Sequence, residues 1–221
     1  MNGYLAVSRL LRFWKNRKPV KDYYQTHCRE YFEKTFHVDP SFFLERFARY
    51  LPSGSHILDV GSGSGRDLLW LKNKGFTVTG FERSLGLVEL ARRNTGCPVI
   101  ESDFEIFNFS ALTVDAILMC GSLVHVSYDR FDKVLGKIIQ ALPQKKQNPD
   151  SEYQLFGIIY ISLKEGKGAL DDPDGRTFYL WQDSMLRALF DQQGFVILDF
   201  LRSMSADGKG KSWLGYVLRV G

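Results

Sequence analysis

Three glycines at alternate positions follow an apolar stretch in HILDVGSGSGRDLLW, namely Gly61, Gly63 and Gly65. Glycine lets the backbone turn tightly and come close to a ligand, because it has no Cβ atom. Where such a turn joins a strand to a helix, its free N–H groups and the helix dipole favour an anionic or zwitterionic ligand. The sequence therefore predicts a small-molecule site at this loop.

Two carboxylates near this loop limit the kinds of ligand that the site could bind. Asp59 stands just before the turn, where a carboxylate repels a pyrophosphate and attracts an ammonium group. Glu82 follows Gly61 by 21 residues, a distance at which a carboxylate takes both hydroxyls of a ribose. The two positions together favour a ligand with an amino group and a ribose.

Two further features of the sequence bear on which nucleotide-containing ligand the site binds. Asp103 and Phe104, in ESDF, pair an acid with an aromatic ring and suit an adenine amino group and its ring. A dinucleotide-binding loop has the pattern G-x-G-x-x-G, whereas Arg66 occupies the third position after Gly63. An NAD-dependent oxidoreductase therefore remains an alternative that the loop spacing and Asp59 disfavour.

Apolar, strand-like stretches alternate with helical patterns around these residues. Such alternation predicts an α/β fold with a parallel sheet covered on both faces. The last two strands are separated by eight residues, too few for a crossover helix, so we expect them to be antiparallel neighbours. The predicted strands are 56–60, 76–82, 98–102, 114–120, 154–163, 195–203 and 212–220, and the predicted helices are 66–74, 85–94, 128–142 and 181–194.

The motifs together resemble the class I methyltransferases that depend on S-adenosylmethionine (SAM), in particular small bacterial methyltransferase-domain proteins akin to the tellurite-resistance type. LDVGSGSGRD resembles that family's first motif, VTGFERS its second, ESDF its adenine-reading acid and VDAILMCGSLVHV its fourth strand and following loop. YYQTHCREYFEKTF is similar to its N-terminal helix that closes over SAM. The resemblance covers about residues 20–220 and implies a seven-stranded, mostly parallel Rossmann-like sheet with an antiparallel last strand.

The resemblance also implies a cofactor site for SAM, with S-adenosylhomocysteine as the product. It places the methionine part by Asp59 and the glycine loop, the ribose by Glu82, and the adenine by Asp103 and Phe104. Ser62 stands where many members have cysteine, and Glu82 where many have aspartate. The remaining residues of the predicted cofactor site are Gly61, Ser62, Gly63, Gly65, Arg66, Arg83, Ser84, Cys120 and Tyr24.

One histidine is the candidate catalytic residue. His125 follows the fourth predicted strand, where a side chain faces the transferred methyl group, and histidine titrates in the range that a general base needs. The alternative is a histidine that bonds to the backbone and shapes its loop. Cys120, a candidate for the cofactor site, is alternatively a buried residue at the end of a strand. Asp67 is predicted to be a structural charge that interacts with the dipole of its helix in the first turn.

Aromatic and basic residues are candidates for the acceptor side. Tyr23 and Tyr31 line the pocket under the resemblance, or else they pack the helices together. Lys164 and Arg176 lie in a long loop after the fifth strand, where open α/β sheets carry substrate groups. They either clamp an anionic substrate or are solvent-exposed charges. Arg202 and Trp213, in the last two strands, are candidates for the same side of the pocket.

The charge of the chain is uneven. The net charge is +4, but residues 1–21 contain six basic and no acidic residues, so the other 200 residues carry a net charge of −2. A nucleic-acid partner is therefore not expected. The segment 1–19 is a basic amphipathic extension whose residues 1–18 lie on a membrane surface, act as a targeting peptide, or pack on the domain or a partner.

Residues 20–221 are predicted to form one methyltransferase domain, with a helical lid at 20–51 broken near 37–40. The chain has three cysteines and no C-x-x-C pair, so we expect a reducing, cytoplasmic location and no metal site. No apolar stretch reaches the length of a membrane-spanning helix, and we expect the mature protein to be the whole chain, as a monomer or homodimer.

The sequence thus predicts a SAM-dependent methyltransferase that transfers a methyl group to a small molecule by in-line displacement. The alternative from another class is a non-catalytic SAM-binding or scaffold protein that docks through its N-terminal helix.

Overall fold

The strands and helices alternate along the chain as the apolar pattern indicates. The computed structural model describes residues 21–143, 157–204 and 212–220. The strands in this part are β1 His56–Val60, β2 Thr77–Glu82, β3 Val99–Glu101, β4 Ala116–Cys120, β5 Ile158–Lys164, β6 Ala169–Asp171, β7 Thr177–Tyr179, β8 Phe195–Met204 and β9 Ser212–Val220. The helices are α1 Lys21–Thr26, α2 Cys28–Thr35, α3 Ser41–Ala48, α4 Arg66–Asn73, α5 Leu85–Thr95, α6 Tyr128–Ile138 and α7 Asp183–Gln192.

Seven of the strands form one sheet in the order β3-β2-β1-β4-β5-β9-β8. The five strands β1 to β5 pair in parallel, and β9 runs antiparallel to both β5 and β8. The predicted α/β, Rossmann-like sheet with an antiparallel last strand is therefore confirmed. Because the sheet is parallel through its centre, the carboxyl ends of β1, β2, β3 and β4 meet at one edge.

Two apolar clusters cover the two faces of this sheet. On one face, α3, α4 and α5 pack their apolar residues against β1, β4 and the side chain of Tyr160. On the other, α6 and α7 pack against Ile117, Ile159 and neighbouring strand residues. Helices on both faces explain why the residues of β4 and β5 are buried almost throughout rather than alternately exposed.

The N-terminal segment differs from the prediction in detail. Two helices were predicted between 22 and 51, and the structure has three, because the backbone is interrupted at His27 between α1 and α2. The break predicted at 37–40 is present, since α2 ends at Thr35 and α3 begins at Ser41. The predicted extension 1–19 lies outside the described residues.

The segment after β5 is a short hairpin rather than a long loop. Strands β6 and β7 pair antiparallel with Leu170 opposite Phe178. The turn between them has the sequence DDPDGR, in which Gly175 has a φ of 86° and the Asp172 N–H bonds to the Arg176 carbonyl at 2.7 Å. The sequence carried this signal, because Pro-Asp-Gly favours a tight turn, but strands of three residues are too short to show a period.

Candidate functional site

The glycine loop lies at the carboxyl end of β1 and needs glycine for two different reasons. All three glycines have positive φ, at 75° for Gly61, 53° for Gly63 and 84° for Gly65. A Cβ on Gly61 would lie 2.4 Å from the Ser122 Cβ, in the loop after β4. A Cβ on Gly65 would instead press on α5, so this glycine permits helix packing. The loop is therefore held tightly against its neighbours.

Unpartnered polar atoms surround this loop. The atoms Asp59 Oδ2, Ser62 Oγ and Ser122 Oγ are buried, and none of them has a hydrogen-bond partner within the described part of the chain. Buried polar groups normally find partners. Burial raises the pKa of Asp59 well above its usual value, and the nearby Asp67 carboxylate raises it further. These atoms are suited to an additional polar partner, such as an ammonium group.

Glu82 lies beside the loop at the end of β2. Its Oε2 accepts a hydrogen bond from the Gly63 N–H at 3.0 Å, and its Oε1 accepts from the N–H groups of Arg83 and Ser84, both at 2.8 Å. Burial raises the pKa of Glu82, although these three backbone bonds act in the opposite direction. Its carboxylate is thus fixed in place between the first two strand ends.

The third strand end carries the predicted adenine-reading acid. The Asp103 side chain lies 3.6 Å from the Arg83 guanidinium, and its Oδ1 accepts from the Glu105 N–H at 2.9 Å. Phe104 is half-buried and packs at the margin of the core. The structure therefore brings Asp59, Glu82 and Asp103 to successive strand ends on the same sheet edge, as the sequence predicts.

Arg66 is directed along the helix rather than toward the glycine loop. Its Nε and Nη2 donate to the two carboxylate oxygens of Asp67 at 2.6 and 3.0 Å, and Nη2 also approaches the Cys120 Sγ at 3.8 Å. Its guanidinium lies over the Phe43 ring of α3. Burial raises the pKa of Cys120 to about 12, so this thiol is not a nucleophile at neutral pH. Arg66 and Asp67 form a structural pair that joins α3 and α4 to the end of β4.

The helices α1 and α2 cover the glycine loop. The Tyr31 ring packs on Gly63, with its Cε1 3.2 Å from the position of a Cβ there. The Ser84 Oγ donates to the Tyr24 carbonyl at 3.2 Å, and Cys28 packs against Gly86 in the first turn of α5. Ser84, a predicted cofactor residue, thus holds these helices to the body of the fold.

Tyr24 and His125 meet above this edge. The His125 Nδ1 lies 2.6 Å from the Thr177 carbonyl oxygen, and its Nε2 lies 2.9 Å from the Tyr24 hydroxyl. Because a carbonyl can only accept, Nδ1 carries the proton and Nε2 accepts from Tyr24. Burial lowers the pKa of His125 to about 4, helped by the charges of Arg176, Lys164 and Arg83. His125 is therefore neutral at pH 7, with its acceptor nitrogen turned toward the N-terminal helices.

The predicted acceptor-side residues divide into two groups. Lys164 and Arg176 lie around Phe178 near His125. Trp213 lies beside Lys164, and Tyr23 packs under the Arg176 guanidinium. Arg202 instead pairs with Glu165 at 3.1 Å and lines a separate open cleft of about 450 Å³.

Sequence reasoning missed three neighbours of the predicted site, namely Ser122, Thr177 and Phe178. Thr177 acts through its backbone carbonyl, which no residue type signals. Phe178 was hidden because the hairpin β6–β7 was not predicted. Ser122 lies within the quoted VDAILMCGSLVHV motif, where only its contact with Gly61 distinguishes it.

The described residues were also compared with the requirements of a membrane-spanning helix and of a metal site. None of their helices is both long and apolar enough to cross a membrane. No group of three or more histidine, cysteine, aspartate or glutamate side chains in 21–143, 157–204 and 212–220 is placed to hold a metal ion.

Sequence comparisons agree with this geometry. Residues 57–145 match the family model described as "Methyltransferase domain". An uncharacterised protein of Methanocaldococcus jannaschii is 25% identical over 129 residues, which cover 57% of this chain and 49% of that protein. A tRNA (uracil(54)-C(5))-methyltransferase of Pyrococcus abyssi is 31% identical over 99 residues, 43% of this chain and 24% of that enzyme. The chain thus spans half or less of these two relatives.

Solved structures share the fold over most of the chain. The 1,6-didemethyltoxoflavin-N1-methyltransferase of Burkholderia thailandensis, with 1,6-didemethyltoxoflavin and S-adenosylhomocysteine bound, has a TM-score of 0.64 and 20% identity, over 98% of this chain and 88% of that one. A TehB-like SAM-dependent methyltransferase of Corynebacterium glutamicum has a TM-score of 0.63 and 18% identity, over 89% and 99%. Residues 57–145 are therefore a methyltransferase domain, and the chain has the Rossmann-like fold of the class I SAM-dependent methyltransferases.

Proposed function

We propose that this protein binds SAM and transfers its methyl group to a small-molecule acceptor. The observation that carries the proposal is the set of buried, unpartnered oxygen atoms at Asp59, Ser62 and Ser122, beside a loop whose glycines have no room for a Cβ. These oxygen atoms can accept hydrogen bonds from the ammonium group in the amino acid part of SAM. The bound S-adenosylhomocysteine of the Burkholderia enzyme and of other structures with this fold supports the same cofactor.

The remaining parts of SAM fit the next strand ends. We assign the ribose hydroxyls to Glu82, whose carboxylate is held by three backbone N–H groups, and the adenine to Asp103 and Phe104. Tyr31 and Tyr24 cover the cofactor from α1 and α2. In contrast, Gly65 and Arg66 support the site through helix packing and the Asp67 ion pair.

Methyl transfer from SAM requires little acid–base catalysis from the protein. Bound SAM supplies a methyl group on a cationic sulfur, and that sulfur keeps the electron pair of the broken C–S bond. The protein aligns the acceptor and excludes water, since alignment and a dry site supply much of the rate of such a displacement. The helices α1 and α2, which Ser84 and the Tyr31 ring hold over the glycine loop, serve this purpose.

We assign to His125 the contact with the acceptor's reacting X–H group. Its Nε2 carries a lone pair at neutral pH, because Nδ1 donates to the Thr177 carbonyl. When the acceptor's X–H replaces the Tyr24 hydroxyl as donor, Nε2 orients the nucleophile and takes its proton as the X–CH₃ bond forms. The low pKa of about 4 makes His125 a weak base on its own, so orientation is the larger part of this role.

Calorimetric titration of the purified full-length protein with S-adenosylhomocysteine and, separately, with NADH tests the cofactor. Saturable binding of S-adenosylhomocysteine alone is expected, and its absence would refute the proposal. Transfer of tritiated methyl from SAM to a panel of small amines, thiols and phenols then tests catalysis. Cofactor binding with no transfer to any acceptor class would favour a SAM-binding scaffold protein instead.

A further inference from the structure

The side chains of Lys164, His125 and Arg176 converge on one aromatic ring. The Lys164 Nζ lies 3.2 Å from the centre of the Phe178 ring, the His125 ring centre 4.6 Å from it, and the Arg176 Cζ 5.1 Å. Phe178 itself is 4% exposed and belongs to the core. Two cations and a neutral imidazole are thus gathered around a fixed point at the margin of the core.

Lys164 is placed rigidly for a lysine. It ends β5, is 9% exposed, and pairs in the antiparallel register with Trp213 of β9. Its Nζ also lies 5.7 Å from the centre of the Trp213 ring. That ring packs on Gly121, 3.2 Å from the position of a Cβ there. The ammonium group is therefore held close to the end of β4, where the predicted cofactor site begins.

Arg176 is oriented by its own hairpin. Its Nε and Nη2 donate to the Asp174 carboxylate at 3.0 and 2.5 Å, and its Cζ lies 3.9 Å above the Tyr23 ring. These contacts occupy one edge of the guanidinium and one face. They direct the other edge inward, where Nη1 lies 3.4 Å from the Tyr24 hydroxyl. This inward edge faces the same space as the His125 Nε2, because both contact that hydroxyl.

The charges near His125 indicate which charge a ligand in this space should carry. Besides its burial, three cations lower its pKa, namely Arg176, Lys164 and Arg83, whereas the hydrogen bond from Nδ1 to Thr177 raises it. The Tyr24 hydroxyl, the remaining titratable group in contact with its ring, is neutral at pH 7, because burial raises its pKa above 10. The charged groups that act most strongly on the imidazole are therefore cations, which favours an anion beside it over an ammonium group.

We propose that the methyl acceptor is a small organic anion, with a carboxylate or phosphate group held between the Lys164 ammonium and the inward edge of Arg176. The inference rests on the proposed methyltransferase function and names its acceptor class. A guanidinium edge and an ammonium point charge are the two groups that proteins use for such oxyanions. The acceptor's nucleophile then lies toward His125, and the aromatic rings of Tyr23 and Trp213 border its body.

The test uses full-length protein saturated with S-adenosylhomocysteine, and four probes of similar size: benzoate, phenyl phosphate, benzamide and benzylamine. Calorimetry measures each affinity, and the His125 imidazole signals in NMR locate the binding. We expect benzoate or phenyl phosphate to bind at least tenfold more tightly than the neutral and cationic probes. Comparison of the two anions decides between a carboxylate and a phosphate.

Two variants and a control assign the binding to this place. Lys164→Met and Arg176→Gln are each expected to weaken anion binding at least tenfold while S-adenosylhomocysteine still binds. Lys133→Gln, which removes an exposed charge from α6, should leave anion binding unchanged. Equal binding of benzamide or benzylamine, or anion binding unaffected by both variants, would overturn the inference.

The two proposals fail in different ways. If the wild-type protein binds no S-adenosylhomocysteine, the proposed function fails, and the anion titration is repeated on the protein without it. If S-adenosylhomocysteine binds but the anion shows no preference, the inference alone fails. Should Lys164→Met not fold, Arg176→Gln, whose side chain is only partly buried, still decides the outcome.

Discussion

The hydroxyl of Tyr24 donates a hydrogen bond to the Nε2 of His125 across 101 residues of sequence, at 2.9 Å. This bond joins the first described helix to the loop after β4, and the second nitrogen of His125 continues the connection to the hairpin at Thr177. Three segments far apart in the chain are thus linked through one imidazole ring. The position of the N-terminal helices and the orientation of His125 are therefore coupled.

The phenylalanine variant of Tyr24 tests this connection. Tyr24→Phe keeps the ring contacts with Tyr23 and Tyr31 but removes the donor to His125 and the acceptor of the bond from Arg176. We expect the free energy of unfolding to fall by about 1–2 kcal/mol, as for two hydrogen bonds, and the amides of α1 and α2 to exchange faster. Hydrogen exchange measures this, with Tyr23→Phe as the matched control. Equal amide hydrogen exchange in the two variants would show that the Tyr24–His125 hydrogen bond does not hold α1 and α2 in place.

The pH dependence of stability tests the buried state of His125. Its folded pKa of about 4 lies below the unfolded value of about 6.5. The unfolded chain therefore takes up the proton first, and His125 lowers the stability of the fold as the pH falls from 6.5 toward 4. The full effect is about 3 kcal/mol.

His125→Asn removes this dependence. Urea unfolding at pH 7.0, 6.0, 5.0 and 4.5 should show the wild type losing stability relative to the variant as the pH falls. The raised pKa values of Asp59 and Glu82 act in the opposite direction, but they are common to both proteins and cancel in the difference. Parallel stability curves would mean that His125 titrates normally.

A conflict between stability and binding is expected at Asp59. Its folded pKa is raised above the unfolded value, so the buried carboxylate stabilises the fold only at low pH and costs free energy at neutral pH. Asp59→Asn should therefore leave the melting temperature of the ligand-free protein unchanged or higher. It should weaken S-adenosylhomocysteine binding at least tenfold, because an amide attracts an ammonium group far less.

Differential scanning calorimetry and titration calorimetry measure the two effects of Asp59→Asn. Asp191→Asn, at an exposed position in α7, is the control and should change neither. Unchanged affinity in Asp59→Asn would remove this residue from the cofactor site.

A matched pair of glycine variants separates backbone strain from close packing. Gly54 and Gly61 have similar φ angles of 79° and 75°, but a Cβ on Gly54 meets nothing within 4 Å, whereas one on Gly61 meets Ser122. Gly54→Ala should cost about 1 kcal/mol from its backbone conformation. Gly61→Ala should cost about 3 kcal/mol, because overpacking is added. Urea unfolding measures both, and equal losses would contradict the close approach.

The central sheet could be predicted because its determinants are local. HILDV is β1 from His56 to Val60, residue for residue, since a short apolar stretch ended by a glycine turn has few alternatives. The antiparallel end of the sheet followed from the short connection between its last two strands. The three acids at successive strand ends followed from the strand assignments themselves.

The contacts of the site could not be predicted in the same way. Tyr24 and His125 are far apart in sequence, and their hydrogen bond depends on how α1 settles on the sheet edge. Arg202 was predicted on the same side of the pocket as Arg176 because it lies in one of the last two strands, yet its strand β8 lies beyond β9, and it pairs with Glu165 there. Assignments of this kind need the tertiary arrangement, since sequence gives the strand but not its place in the sheet.

The hairpin β6–β7 lies outside the stretch 57–145 that matches the methyltransferase domain model. It supplies Arg176, Thr177 and Phe178, but no carboxylate of the predicted cofactor site. Under the proposed function, this hairpin gives Arg176 to the acceptor side, whereas Asp59, Glu82 and Asp103 of the cofactor site lie in the stretch before it. We therefore expect that exchanging residues 168–180 changes which acceptor the protein binds, while the three carboxylates of the proposed cofactor site stay in place.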